Sequence, residues 1–159
     1  MRLFAALGLI ALVACSAAFT LGVADFSVPI ANTLGRTCWV KVDTSGSPVI
    51  RTATYLADAT YDPGAVALSD SVTVQFFGRR EAPADTCTAG GEVDDLPLSA
   101  AFNLEREARQ RIAIGGATYG EDLGGLVNAG VFWLGATAAG NVGIGEELRF
   151  ENGRITVGF

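Results

Sequence analysis

Between Arg2 and Asp25 the chain runs for 22 residues without a charge, LFAALGLIALVACSAAFTLGVA, and this segment constrains everything that follows it. Arg2 and the free amine hold the start on the cytoplasmic side, and an apolar run then directs the next residues across a membrane. A cleaved secretory signal would have its apolar core from Leu3 to about Val13. Small residues follow at Ser16-Ala17-Ala18 and again at Gly22-Val23-Ala24, the kind of pattern a signal peptidase reads. An uncleaved anchor is also open. At about 1.5 Å rise per residue, the 22 residues can cross a hydrocarbon core of about 30 Å.

A third fate is covalent. Leu12-Val13-Ala14-Cys15 resembles the lipobox of bacterial lipoproteins, which implies a diacylated Cys15 as the new N-terminus. The resemblance covers these four residues, and Ser16 is followed by AAFTLGV rather than by the polar tether usual in that family. The other role open to Cys15 is that of a small apolar side chain in a helix. All three fates put the residues from Asp25 onward outside the cytoplasm, in the periplasm, at the cell surface or secreted. The expected organisation is a signal peptide or membrane anchor over 1–24, a linker or edge strand over 25–36, and a β domain over 37–159.

That compartment decides the cysteines. With Cys15 removed or lipidated, Cys38 and Cys87 remain, an even number in an oxidising environment, and a disulfide between them is expected. Closing a loop of about 50 residues stabilises a fold by about 4 kcal/mol on the chain-entropy model. Neither cysteine has the CxxC spacing of a metal or redox site.

Composition excludes several chemistries. The chain has no histidine, so Ser-His-Asp and Cys-His catalysis, His-ligated zinc and HExxH proteolysis are closed to it. Its 17 acids outweigh 11 bases, Lys41 is the single lysine, and Arg79-Arg80 is the longest basic cluster. No footprint for a nucleic-acid backbone exists. Neither GxGxxG after a strand nor a P-loop occurs, and no cofactor, metal or catalytic residue is assigned. Glu92, Asp94 and Asp95, with Asp85 nearby, offer oxygen ligands to Ca²⁺, although their spacing is not that of an EF-hand loop. Asp58 and Asp62 are a second acidic pair to weigh for carboxylate hydrolysis.

Period-2 patterning then predicts strands. TCWVKV (37–42) puts Cys38, Val40 and Val42 on one face, VIRTATYLA (49–57) is rich in β-branched and aromatic residues, and DSVTVQFFG (70–78) alternates Val72, Val74 and Phe76 against Thr73, Gln75 and Phe77. Residues 79–95 have the texture of an exposed loop that Cys87 would tie back to Cys38. Leu98, Ala101, Phe102, Glu105, Ala108 and Ile112 recur at helical spacing and predict the one helix, with RIAIGG (111–116) also readable as a strand. Residues 123–145 are again uncharged, but seven glycines and two asparagines favour close-packed strands centred on VFWLGATA over a second membrane span. At the end of the chain, Asn152-Gly153 predicts a type I′ hairpin with Phe150 opposite Ile155 and Leu148 opposite Val157. That places Leu148, Phe150, Ile155, Val157 and Phe159 on one face. The alternation ending on Phe159 resembles the last strand of outer-membrane β-barrels, but strands of about 9–11 residues repeated at least eight times are not found.

The expected fold is mainly β: a small antiparallel β-sandwich with one short helix, preceded by the hydrophobic signal or anchor segment. The expected function is non-enzymatic, that of an exported envelope or surface protein working as a structural or assembly subunit through contacts with other envelope or surface proteins or with itself. The membrane is a further partner if the N-terminal segment is retained. An exported carbohydrate- or calcium-binding module is the alternative, with a carboxylate-based hydrolase third.

Overall fold

The computed structural model describes residues 18–44, 50, 52–62, 71–89, 94–106, 109–115, 120–141 and 145–158. Cys15, Glu92, Phe159 and the apolar run before Ala18 lie outside them. The described elements are β1 (Ala18–Gly22), β2 (Phe26–Ala31), β3 (Arg36–Asp43), β4 (Thr52–Asp62), β5 (Val72–Arg79), β6 (Cys87–Ala89), β7 (Leu96–Pro97), β8 (Phe102–Leu104), β9 (Gln110–Gly115), α1 (Gly120–Ala129), β10 (Val131–Ala139) and β11 (Glu147–Gly158). Among the described residues the fold is mainly β with one short helix. Its sheet is mixed rather than purely antiparallel, because β2 runs parallel to β10 while the other described pairings are antiparallel.

Two long strands organise the sheet. β11 is lined along one edge by β4, and along the other by β1 and then β2. β10 is lined on one edge by β3 and then β2, and on the other by β5. β2 is therefore the seam between the two halves. The sheet folds back on itself at this seam, because the Phe76 ring of β5 lies 5.1 Å from that of Phe150 on β11 and 5.7 Å from that of Tyr55 on β4. Between the halves, Val28, Tyr55, Val74, Phe76, Phe132, Leu134, Leu148, Phe150 and Ile155 are fully buried. Alternation of side chains along each strand supplies this apolar layer, with Val72, Val74 and Phe76 inward as their spacing predicts.

The C-terminal hairpin is corrected. β11 does not turn back at Asn152-Gly153 but runs on as one strand against β4, with Glu151 opposite Asp58 and Arg154 opposite Leu56. Two residues of β11 thus oppose Ala57 alone, which is a β-bulge, and Asn152 takes the left-handed conformation at φ 54°. An extra residue shifts the inward parity from even to odd numbers. Leu148 and Phe150 before the bulge and Ile155 and Val157 after it consequently all face the core. A two-residue turn and a one-residue bulge put the same side chains on the same face, so the pattern is right for a different reason.

The helix is also corrected. The described residues of the 97–112 segment, 97–106 and 109–112, are not helical: β8 pairs Phe102 with Val74 and Leu104 with Val72, and β9 pairs Ile112 with Ala57 and Ile114 with Tyr55. Alternating Ile112 and Ile114 are both buried, and long-range pairing overrides the helical spacing upstream. The helix is α1, inside the glycine-rich uncharged run, and its Leu123, Leu126 and Val127 are fully buried against the core. Gly130 ends it with φ 96°, and the Thr44 hydroxyl sits 2.8 Å from the Val127 carbonyl and 2.6 Å from that of Gly130. The same run then becomes β10, as its VFWLGATA centre predicts. Among the described residues no helix is long and apolar enough to cross a membrane.

Candidate functional site

Cys38 and Cys87 are joined, as their parity predicts, and they are directly paired residues of β3 and β6. The bridge fastens the far end of the 80–86 loop to β3. Residues 83–86 of this loop stand beside the outer face of β3 and β10. With Cys38, Val42, Phe132, Leu134 and Phe76 directed into the core, the alternate residues Trp39, Lys41, Trp133, Gly135, Phe77 and Arg79 point the other way.

Register gathers these side chains into two rows. Trp133 stands opposite Lys41 on one side and Arg79 on the other, and Gly135 stands opposite Trp39 and Phe77. The Trp39 ring packs against Gly135, where a Cβ would come within 2.4 Å of it, so only glycine leaves room for the indole. The Arg79 guanidinium sits 5.4 Å from the Trp39 ring centroid and reaches Asp95 at 3.7 Å. The indole N–H of Trp39 donates to Thr88 Oγ1 at 2.9 Å, and its backbone N–H donates to the Thr86 carbonyl at 2.8 Å. Trp39 is therefore a fixed floor. Over it, Lys41, Trp133, Pro83, Ala84, Asp85 and Thr86 line an open cleft of about 380 Å³.

The cleft combines the half-buried indole of Trp133, the exposed ammonium of Lys41 and the exposed carboxylate of Asp85. Aromatic faces offer stacking and apolar contact, while the two charges fix the orientation of a polar group. The chain's two tryptophans and its single lysine all lie here. That rarity was the available signal, but neither periodicity nor spacing shows that Trp39 and Trp133 share a face, which needs the register of β3 on β10.

The acidic residues weighed as calcium ligands or as a hydrolytic pair are dispersed. Asp85 lines the cleft, Asp95 sits beside Arg79, and Asp94 lies by Arg80, Glu81 and Leu96. Among the described residues no three carboxylates or cysteines are grouped to hold a metal ion. Asp58 and Asp62 share the outer side of β4 four positions apart, about 13 Å along a strand and beyond the roughly 5–10 Å of a hydrolytic carboxylate pair. Asp58 accepts from Arg109 at 2.5 Å and from Asn152 at 3.1 Å, with Arg111 at 3.5 Å. The Arg109 hydrogen bond, opposed by desolvation and helped by Asn152 and the two arginine charges, holds its carboxyl below the usual carboxylate range.

A second polar cluster is interior. Arg106 pairs with Glu146 at 3.0 Å, the Tyr61 hydroxyl donates to Glu146 at 2.5 Å, and Arg106 also donates to the Asn141 carbonyl at 2.5 Å. Both charged side chains are at most 2% exposed. This cluster ties the segment after β8 to the start of β11. No family model matches the chain, and no curated protein matches its sequence.

Proposed function

We propose that this protein is a non-enzymatic, exported β-sandwich of the cell envelope or surface that works through protein–protein contacts, and that the Trp39–Trp133 cleft is its contact face. The observation carrying this reading is the convergence of both tryptophans, Lys41 and Asp85 on one open cleft whose loop wall, residues 83–86, is tethered next to it by Cys38–Cys87. Tryptophan is enriched among residues that dominate binding energy, and an indole set between two charged groups suits an interface centre. The disulfide supports an oxidising compartment, and the charge-free N-terminal run supports export.

The test places a photocrosslinking amino acid at Trp133 and, as a control, at the exposed Arg111 on the opposite half, in cells making the full chain. A discrete protein adduct from position 133 and none from 111 supports the reading; equal, diffuse labelling at both sites sinks it. With the partner in hand, Trp133→Ala should weaken binding by about 30-fold, the equivalent of a hot-spot loss of about 2 kcal/mol. A carbohydrate-binding module is the second reading, favoured by the stacking face of Trp133 beside two hydrogen-bonding side chains. Saturable quenching of tryptophan fluorescence by glucose- or N-acetylglucosamine-containing oligosaccharides, lost in Trp133→Ala, would select it instead.

A further inference from the structure

Residues 18–22 belong to the uncharged N-terminal run by sequence and to the sheet by structure. β1 pairs with β11 from Ala18 opposite Gly158 to Gly22 opposite Arg154, and Phe19 and Leu21 pack against the core. The chain then bends around the bulge of β11. Val23 is buried and its N–H donates to the Gly153 carbonyl at 2.8 Å, while the Asp25 carboxylate accepts from the Asn152 N–H at 3.0 Å. Beyond the bend, β2 continues along the same edge with Phe26 opposite Phe150. Residues 18–29 thus line β11 as one interrupted strand, and Ile30 and Ala31 go on to pair with β10.

This placement separates the fates open to the N-terminus. Hydrolysis after Ala24 would remove β1 and Val23, strip Phe19 and Leu21 from the core, and leave the backbone of Arg154–Gly158 unpaired along one edge. Retention as an anchor fails on length. Once β1 is counted with the domain, the uncharged run shrinks to the 15 residues Leu3–Ala17. At about 1.5 Å per residue that is about 22 Å, short of the roughly 30 Å hydrocarbon core and within the length of a signal-peptide apolar region. Lipidation at Cys15 would leave two residues, Ser16 and Ala17, before β1, a tether of about 7 Å that would press the sheet edge onto the bilayer.

We infer that the export segment is removed by hydrolysis of the Ala18–Phe19 peptide bond, so that the exported domain starts at Phe19 and keeps the pairing of Phe19–Gly22 with β11. Ser16 and Ala18 supply the small side chains that a membrane peptidase accepts three residues before and immediately before the cut. One water is consumed: its oxygen goes to the carbonyl carbon of Ala18, which leaves as a carboxylate, and the amide nitrogen leaves as the α-ammonium of Phe19. The inference rests on the export reading in the proposed function but not on the cleft.

The experiment is intact mass spectrometry of the full chain, carrying a C-terminal affinity tag, from membrane, periplasmic and cytosolic fractions of a Gram-negative bacterium. The expected product is Phe19 to the C-terminus with one disulfide, outside the cytosol. A product beginning at Asp25, a diacylated Cys15, or an uncut chain in the membrane each overturns the inference while leaving export intact. An uncut chain in the cytosol overturns export as well. Two variants sharpen the result: Ala18→Leu should make the uncut precursor accumulate, and Ala24→Leu should leave the Phe19 start unchanged. Blocked processing in Ala24→Leu alone would overturn the inference.

Discussion

β4 contains the tripeptide Ala-Thr-Tyr twice, at 53–55 and 59–61, and the two tyrosines have opposite surroundings. Both point into the core, as residues six apart on a strand must. Tyr55 is fully buried among rings, 5.7 Å from Phe76, and its hydroxyl has no hydrogen-bond partner among the described residues. Tyr61, at the other end of β4, donates its proton to Glu146, and the Arg106 guanidinium lies 5.4 Å from its ring centroid. Burial raises both phenols above their ordinary range, aided at Tyr55 by the Asp25 charge and at Tyr61 by the Glu146 hydrogen bond. Identical local sequence therefore leads to an apolar plug at one site and a member of an ionic cluster at the other. The difference comes from what the opposing segments bring.

The most severe way to break this contrast is Glu146→Ala. It leaves the Arg106 guanidinium buried without its carboxylate, and urea melts should show a loss of about 3–5 kcal/mol. A loss below about 1 kcal/mol would mean the cluster is wetter than its burial implies. Next in size is Tyr61→Phe, which withdraws one hydrogen bond from a buried carboxylate and should cost about 1–3 kcal/mol by the same measurement.

Tyr55→Phe should behave differently. It deletes a hydroxyl that bonds to no described residue, so stability at pH 7 should be unchanged or slightly increased. It also changes the alkaline limb. A phenol whose folded pKa is raised contributes stability that is complete below the unfolded value of about 10 and falls away as pH rises through the folded value. Melts of Tyr55→Phe from neutral pH upward should accordingly show a shallower decline above about pH 10 than the unaltered chain. An equal decline would place the alkaline sensitivity elsewhere.

On the outer side of the same strand the smallest effect is expected. Asp58 is held below the usual carboxylate range chiefly by its Arg109 hydrogen bond, so its contribution is present above the unfolded value of about 4 and disappears as pH falls through the lower folded value. Both arginines beside it are more than 60% exposed, which screens the interaction. Asp58→Asn should flatten the acid limb of the stability curve below about pH 4 and leave neutral melts nearly unchanged. A large loss at neutral pH would show that the Asn152 contact, and with it the bulge of β11, depends on this carboxylate.

Legibility followed the range over which each feature is decided. β3, β4 and β5 could be read because alternation is local and one face of each is buried. The inward set of β11 could be read too, but not its geometry, because a turn and a bulge at Asn152-Gly153 satisfy one and the same pattern. α1 was hidden by Gly120, Gly124 and Gly125, which lower helix propensity, although Leu123, Leu126 and Val127 already stood at i, i+3 and i+4.

By itself, the amino-acid sequence determined the mainly β class, the partnership of Cys38 with Cys87 and the exclusion of imidazole chemistry, since each follows from composition, parity or period-2 spacing. Only the tertiary structure decided that Trp39, Lys41 and Trp133 share a cleft, that Tyr55 and Tyr61 part ways, and that residues 18–22 leave the apolar run to become a strand. The physical reason is the same in each case. Which side chains meet across a sheet is set by register between strands far apart in sequence, and a one-residue shift of register sends each of them to the other face.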